Sequence, residues 1–229
     1  MNPARRVAVT REAVVAAALD LLAEGGLDAV SFRRVAAALG VSGPTLYWHV
    51  ESKRQLMDLM ADELVARAGR TYDGPEPGQP WWEWLRADAR RTFEALIATR
   101  DAPRVLAGNR PSLDTFADIE RAIAVLVDAG MAPREAQQAL LTLGAYVIGS
   151  ATEWQAEAER AAEQPLPAAD DAAANARRAQ VLADQPLLLA ALQEQLARPL
   201  TDTFEFGLDL LIGGLRARFA AEPDRFDPS

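Results

Sequence analysis

The sequence predicts an all-α protein of about ten helices: three small helices, a connecting helix, and then a larger helical bundle. Three observations point there. Apolar residues recur at helical spacing along almost the whole chain, with no strand-like alternation. Glycine and proline fall mainly between the periodic segments. Half of the 229 residues are apolar, enough to bury a substantial core.

The elements follow in order. Thr10 is a suitable N-cap, and after it Val14, Ala17, Ala18, Leu21 and Leu22 form an amphipathic stripe. Gly25-Gly26 ends that helix. Ser31 caps a short second helix carrying Val35, Ala36 and Leu39, and Gly40 stops it. Ser42 opens a third, running to about His49, with Pro44 in the first turn, where a missing N–H costs nothing. Ser52 caps a connecting helix over about 53–69, with Leu56, Leu59, Met60 and Leu64 as its apolar stripe.

The run DGPEPGQP at 73–80 breaks the pattern and marks a domain boundary, dividing residues 1–70 from 80–222. Helices are then predicted from about Trp81 to Thr99, within Asp101 to Pro111, from about Ser112 to Asp128, and from Pro133 past Trp154. Glu163 to Ala174, rich in Ala, Asp, Glu and Pro, reads as a mobile loop. Leu187 to Leu196 is the clearest part of the next helical stretch. The final helix carries Phe204, Leu208, Leu211, Ile212, Leu215 and Phe219, and the tail from Pro223 reads as loose.

Composition excludes several classes of function. There is no cysteine, so disulfides, thiol catalysis and thiolate metal sites are out. No apolar run approaches the ~18 residues needed to cross a bilayer, and no signal-peptide core is present. A cytoplasmic protein without a membrane partner is expected. Acidic residues such as Glu153, Glu157 and Glu159 sit at the spacing of a solvated helix face. No catalytic constellation, cofactor motif or metal-ligand cluster accompanies them, so no enzyme, cofactor or metal is expected. The net charge of −9 argues at first against nucleic acid, but its distribution matters more. Residues 1–70 hold nine Lys/Arg and eight Asp/Glu, net +1, and the remainder holds fifteen and twenty-five, net −10.

Two short helices separated by Gly40-Val41-Ser42 have the form of a helix-turn-helix. Val35, Ala36, Leu39, Val41 and Leu46 supply the apolar positions that lock the pair together. Ser42, Thr45, Tyr47, Trp48 and His49 then form a dense polar and aromatic cluster. Aromatic residues left outside a core mark an interface, and hydroxyl and imidazole groups bond phosphates or base edges. Lys53, the only lysine, opens the next helix, where it and free N–H groups suit a phosphate. Arg33 can reach a base or the backbone.

The run Gly40-Val41-Ser42-Gly43-Pro44-Thr45-Leu46-Tyr47-Trp48-His49-Val50, then Lys53-Arg54 and Leu56, resembles the DNA-binding signature of the TetR family, in its tetracycline repressor branch. Phe204 to Leu215 is similar to that branch's closing dimerisation helix, and Tyr146 to Ser150 to part of its long eighth helix. The resemblance implies a homodimeric repressor released from a palindromic operator by a small molecule. An activator, or a regulator without an effector, is the alternative on the same fold. Arg33, Gly43, Pro44, Thr45, Tyr47, Trp48, His49 and Lys53 fall on motif positions at the operator interface, beside Ser42. Two positions depart: Gly43 stands where the branch has a base-reading glutamine, and Phe32 where it has threonine.

Leu208, Leu211, Ile212 and Leu215 are the expected dimerisation residues, with Gly207, Gly213 and Gly214 admitting close backbone approach. Trp84, Asp88, Leu106, Arg110, Phe116, Tyr146 and Trp154 are the expected effector-lining residues, in an apolar pocket with a few polar groups. Tetracycline repressors hold a drug–magnesium chelate with histidines of this region, whereas the single histidine here is His49. Gly69, Asp88 and Leu106 fall where the chelate-contacting side chains would lie, and Arg110 alone is retained. Tetracycline–magnesium is therefore not expected as the effector.

Overall fold

The computed structural model describes residues 9–69, 74–163, 172–196, 199 and 201–219. Among these residues the chain is helical and has no strand. Eleven α-helices follow in order: α1 (Arg11–Gly25), α2 (Phe32–Ala38), α3 (Gly43–Leu46), α4 (Lys53–Arg67), α5 (Trp81–Ala98), α6 (Ala102–Leu106), α7 (Phe116–Asp128), α8 (Pro133–Glu163), α9 (Ala172–Ala183), α10 (Pro186–Leu196) and α11 (Thr201–Phe219). Short 3₁₀ turns at Leu27–Ala29 and Leu113–Thr115 punctuate the chain.

Three of the predicted caps form. Thr10 Oγ1 accepts the Ala13 N–H at 3.2 Å, Ser31 Oγ the Arg34 N–H at 3.3 Å, and Ser52 Oγ the Gln55 N–H at 3.1 Å. Each satisfies an N–H that a helix start otherwise leaves bare. Ser42 behaves differently: its hydroxyl pairs with Thr45 Oγ1 at 2.8 Å instead of capping the backbone. Helix α3 is also shorter than expected, ending at Leu46 rather than near His49. The His49 and Val50 N–H groups both donate to the Leu46 carbonyl, at 2.9 Å each, which closes the turn. Leu46 and Val50 are fully buried and pin that closure from below.

Other boundaries shift for local reasons. A 3₁₀ turn occupies Leu113–Thr115, so α7 begins at Phe116 rather than at Ser112. Helix α8 runs for 31 residues, as far as Glu163. Of the segment read as a loop, Ala172–Ala174 belong to α9, and 164–171 lie outside the described residues. The tail from Pro223 also lies outside them.

One continuous apolar core joins the head, α1–α4, to the helices behind it. Val14, Leu22, Val35, Leu46, Leu56 and Met60 fill the head, while Leu85, Phe93, Leu96, Leu126, Leu208 and Ile212 fill the bundle. Among the described residues no helix is long and apolar enough to cross a membrane.

Helix α11 is fastened to α5 and α8 from one side. Phe204 is sandwiched, stacking on Phe93 with ring centroids 3.9 Å apart and on Tyr146 at 5.7 Å. Arg90 forms a bidentate pair with Glu205, and Arg86 meets Asp209 at 2.7 Å. Planar forks of this kind hold geometry better than single contacts do. This arrangement divides the four expected dimerisation residues by burial within the protomer. Leu208 and Ile212 are buried within their own protomer, at 0% and 1% exposure. Leu211 and Leu215 are half-buried and line a groove with Leu210, Gly214, Leu143 and Thr142 between α8 and α11. The outward apolar residues are Phe206 and Leu210 on α11 and Leu141 on α8. The glycines divide the same way. A Cβ on Gly207 would overlap the Tyr146 phenol, whereas Gly213 and Gly214 face open space.

Candidate nucleic-acid interface and effector region

Helices α2 and α3 meet across the turn at Gly40, whose φ of 66° is the left-handed conformation glycine tolerates best. The Val41 N–H donates to the Ala36 carbonyl at 3.0 Å, folding the second helix back over the first. Val35 and Leu46 are both fully buried, so this joint is held by packing. The opposite face of α3 is open. Ser42, Pro44, Tyr47 and Trp48 are exposed, Tyr47 by 55% and Trp48 by 87%, while Gly43, Thr45 and His49 are half-buried. Arg33 on α2 and Lys53 at the first position of α4 are exposed and make no ion pair among the described residues.

Among the described residues Arg11, Arg34, Arg100, Arg110, Arg134 and Arg216 also make no ion pair, whereas other arginines are committed. Arg54, beside Lys53, is committed to Asp58 at 3.0 Å and to the Gly108 carbonyl. Arg67, Arg86, Arg90, Arg104, Arg121, Arg160 and Arg218 all have carboxylate partners. Two cations without carboxylate partners among the described residues therefore flank a patch of exposed rings and hydroxyls. Such a surface answers phosphate through charge and base edges through hydrogen bonds and apolar contact. His49 lies near enough to Glu12 to help hold its carboxyl below the ordinary range, after the local backbone and Thr10 hydrogen bonds.

The seven effector-region residues scatter more widely. Trp84, Asp88 and Leu106 are buried together in the bundle interior. The Trp84 indole N–H is buried without a hydrogen-bond partner among the described residues, and Asp88 faces Arg91 at 3.6 Å. Tyr146 is half-buried and donates to the Phe204 carbonyl at 2.8 Å, tying α8 to α11. Trp154 is half-buried, while Phe116 is 54% exposed at the start of α7 and Arg110 is exposed.

Sequence reasoning missed the residues joining head to bundle. Asp101 adopts a left-handed φ of 59°, and its Oδ2 accepts the Leu27 N–H from the end of α1 at 2.7 Å. Its own N–H donates to Gln155 Oε1 at 3.0 Å, and Arg104 meets its other oxygen at 3.0 Å. Burial would raise the Asp101 carboxyl, but the Leu27 N–H and Arg104 prevail and hold it below its ordinary range. On α4, Asp58 accepts the Arg110 N–H and Asp62 the Ser112 N–H, each at 3.2 Å. Burial pushes the Asp62 carboxyl up, against the Ser112 hydrogen bonds and with help from Asp58 and Asp114. Apart from the Asp101–Arg104 pair, these are contacts between residues fifty or more positions apart, and no local pattern announces them.

Comparison with known proteins places this geometry. Residues 14–60 match the family described as bacterial regulatory proteins, tetR family, and residues 74–219 match the tetracyclin repressor-like C-terminal domain. The class D tetracycline repressor protein of Escherichia coli is 33% identical over 213 residues, 93% of this chain and 92% of its own length. A glutamine-to-alanine variant of TetR from Acinetobacter baumannii AYE, in complex with minocycline, superposes with a TM-score of 0.72 at 31% identity, covering 96% of this chain and 100% of that one. ActR of Streptomyces coelicolor, in complex with (S)-DNPA, gives 0.72 at 26% identity, covering 93% and 99%. With its helix-turn-helix in front and its repressor-like bundle behind, the chain belongs to the TetR family of ligand-responsive transcriptional repressors, whose members bind operator DNA as homodimers.

Proposed function

We propose that this chain is a cytoplasmic, non-catalytic repressor that grips a palindromic operator through Arg33, Ser42, Gly43, Pro44, Thr45, Tyr47, Trp48, His49 and Lys53. Residues 1–70 carry DNA binding, and 80–222 carry effector binding and dimerisation. The observation behind this reading is the open face of α3, with exposed Tyr47 and Trp48 flanked by the cations Arg33 and Lys53. A two-fold dimer presents two such faces to successive major grooves, ~34–36 Å apart.

The effector is a small molecule other than tetracycline–magnesium. The donor set supports this. Leu106 is a buried hydrocarbon, Asp88 is buried beside Arg91, and His49 lies in the head. Release runs through α4. Arg54, Asp58 and Asp62 fasten one side of α4 to Gly108, Arg110 and Ser112, just after α6. A molecule that displaces α6 drags α4, and with it Lys53. It releases DNA only by binding the displaced arrangement more tightly.

A mobility-shift assay on the region upstream of the chain's own gene tests the DNA reading. A retarded complex is expected. Lys53→Ala should lower affinity and flatten the salt dependence by about 0.9 in slope for each phosphate left without its cation. No complex at low salt would refute the reading. Titration with tetracycline and magnesium should leave the tryptophan fluorescence unchanged, and micromolar binding would overturn the effector reading.

A further inference from the structure

The two departures from the family's recognition motif, Phe32 and Gly43, have different surroundings. Gly43 meets nothing: a Cβ there would find no atom within 4 Å. Phe32 meets Tyr47. Their rings are parallel to within 3°, with centroids 4.9 Å apart. Phe32 is half-buried at the first position of α2 and packs against the core, so one face of the stack is anchored. Tyr47 is 55% exposed at the end of α3, and its hydroxyl makes no hydrogen bond among the described residues. Its neighbour Trp48, 87% exposed, has no ring partner among the described residues. One of the two exposed aromatics is thus held in a fixed plane with its polar end uncommitted, and the other is not.

We infer that Phe32 is a positioning residue for operator binding: by stacking on Tyr47 it pre-orders the phenol, whose hydroxyl then donates to a DNA phosphate or base edge. This rests on the operator-binding reading above. The physical basis is entropy. An unbraced ring must be immobilised as the complex forms, and bracing removes that cost beforehand. Each immobilised side chain is worth roughly two- to tenfold in affinity. With two heads per dimer, removal of the brace should weaken binding roughly four- to a hundredfold. Because Tyr47 is neutral, its contact releases no counterion, so the salt dependence should not change.

The test uses the full-length dimer and a duplex enriched by the wild-type protein from a randomised pool. Phe32→Leu keeps apolar bulk and loses the flat face, and Phe32→Tyr keeps both. Phe32→Leu is expected to weaken binding at least about fourfold, with unchanged salt slope and a melting temperature within about 2–3 °C of wild type, since such swaps are well tolerated. Phe32→Tyr should restore wild-type affinity. In a Tyr47→Ala background, Phe32→Leu should have no further effect. Independent, multiplying losses in that double variant would show that Phe32 does not act through Tyr47, and would overturn the inference. Equal affinity of Phe32→Leu and wild type would overturn it too. Should the wild type enrich no duplex, the operator-binding reading itself fails, which is a different result from either.

Discussion

Gly207→Ala is the sharpest probe of how α11 is seated. A methyl at this position would lie 2.7 Å from Tyr146 Cζ and 3.0 Å from Cε2, inside van der Waals contact. Tyr146 cannot retreat freely. Its ring stacks on Phe204, and its hydroxyl donates to the Phe204 carbonyl at 2.8 Å. Overpacking of this kind costs about 1–3 kcal/mol. Breaking the hydroxyl's bond adds about 0.5–1.5 kcal/mol. Alanine's better helix propensity returns about 1 kcal/mol. The net expectation is destabilisation of about 0.5–3.5 kcal/mol, a fall of roughly 1–14 °C in melting temperature for a chain of this size. The assay is thermal unfolding followed by far-UV circular dichroism, at one fixed protein concentration because a dimer's stability depends on it. Tyr146→Phe alone should cost about 1 kcal/mol. Combined with Gly207→Ala, it should cost less than the two changes added, because each disrupts the same contact. A Gly207→Ala variant melting at or above wild type would refute this account of the joint.

Three further perturbations separate other parts of the structure. Asp101→Asn keeps the left-handed backbone, which asparagine tolerates, but weakens the bonds to Leu27 and Arg104 by about 1 kcal/mol. Because the Asp101 carboxyl is depressed in the folded chain, its stabilisation is present above about pH 3.9 and is lost as pH falls through its lower folded value. Denaturant midpoints of variant and wild type should therefore converge below about pH 4, and a constant difference down to about pH 2 would count against the charge. Asp62→Asn should act oppositely. Burial raises the Asp62 carboxyl, so its charged form carries a penalty at neutral pH that is relieved as pH falls through the folded value. The variant should be more stable than wild type at about pH 7, with the gain shrinking on acidification; a less stable variant there would contradict this. Leu210→Glu should yield folded monomers by light scattering and abolish operator binding. Leu208→Ala should instead cost about 2–5 kcal/mol in the protomer. If Leu210→Glu stays dimeric, the outward face of α11 is not the contact.

The readable part of this molecule was the part specified locally. Three caps, the Gly40 turn and the buried stripe of the head depend on residues within one helical turn of each other, so spacing alone reveals them. The end of α3 was not readable, because one carbonyl, Leu46, takes two donors and stops the helix early. Nor was the face of α11 that turns inward. Phe204, Phe206, Leu208, Leu210, Leu211, Ile212 and Leu215 wrap nearly all of that helix in apolar groups. Periodicity cannot tell which of them meet α5 and α8 and which are left for a second copy. The stack of Phe32 on Tyr47 spans fifteen positions, and only the departure at Phe32 was visible. In the effector region, aromatic composition could not show that Tyr146 serves α11, or that Phe116 lies outside.

The missed contacts bear most on how the head is controlled. Helix α6 has only five residues, and it is bonded to the head at both ends. Asp101, its N-cap residue, holds the Leu27 N–H. The segment after Leu106 is held by Arg54, Asp58 and Asp62 of α4. Four hydrogen bonds therefore bracket α6, together worth about 2–6 kcal/mol at about 0.5–1.5 kcal/mol each. Switching a two-state head from about 99% to about 1% bound-competent requires about 5.5 kcal/mol of differential affinity. The two quantities are of the same order, so an effector that prefers a displaced α6 can trade its own contacts against this bracket. Helix α6 also buries Ala102, Val105 and Leu106 in the apolar core that head and bundle share, so the displacement must keep that packing while it trades the bracket. Had there been no bracket, movement of Leu106 would have left Lys53 where it was.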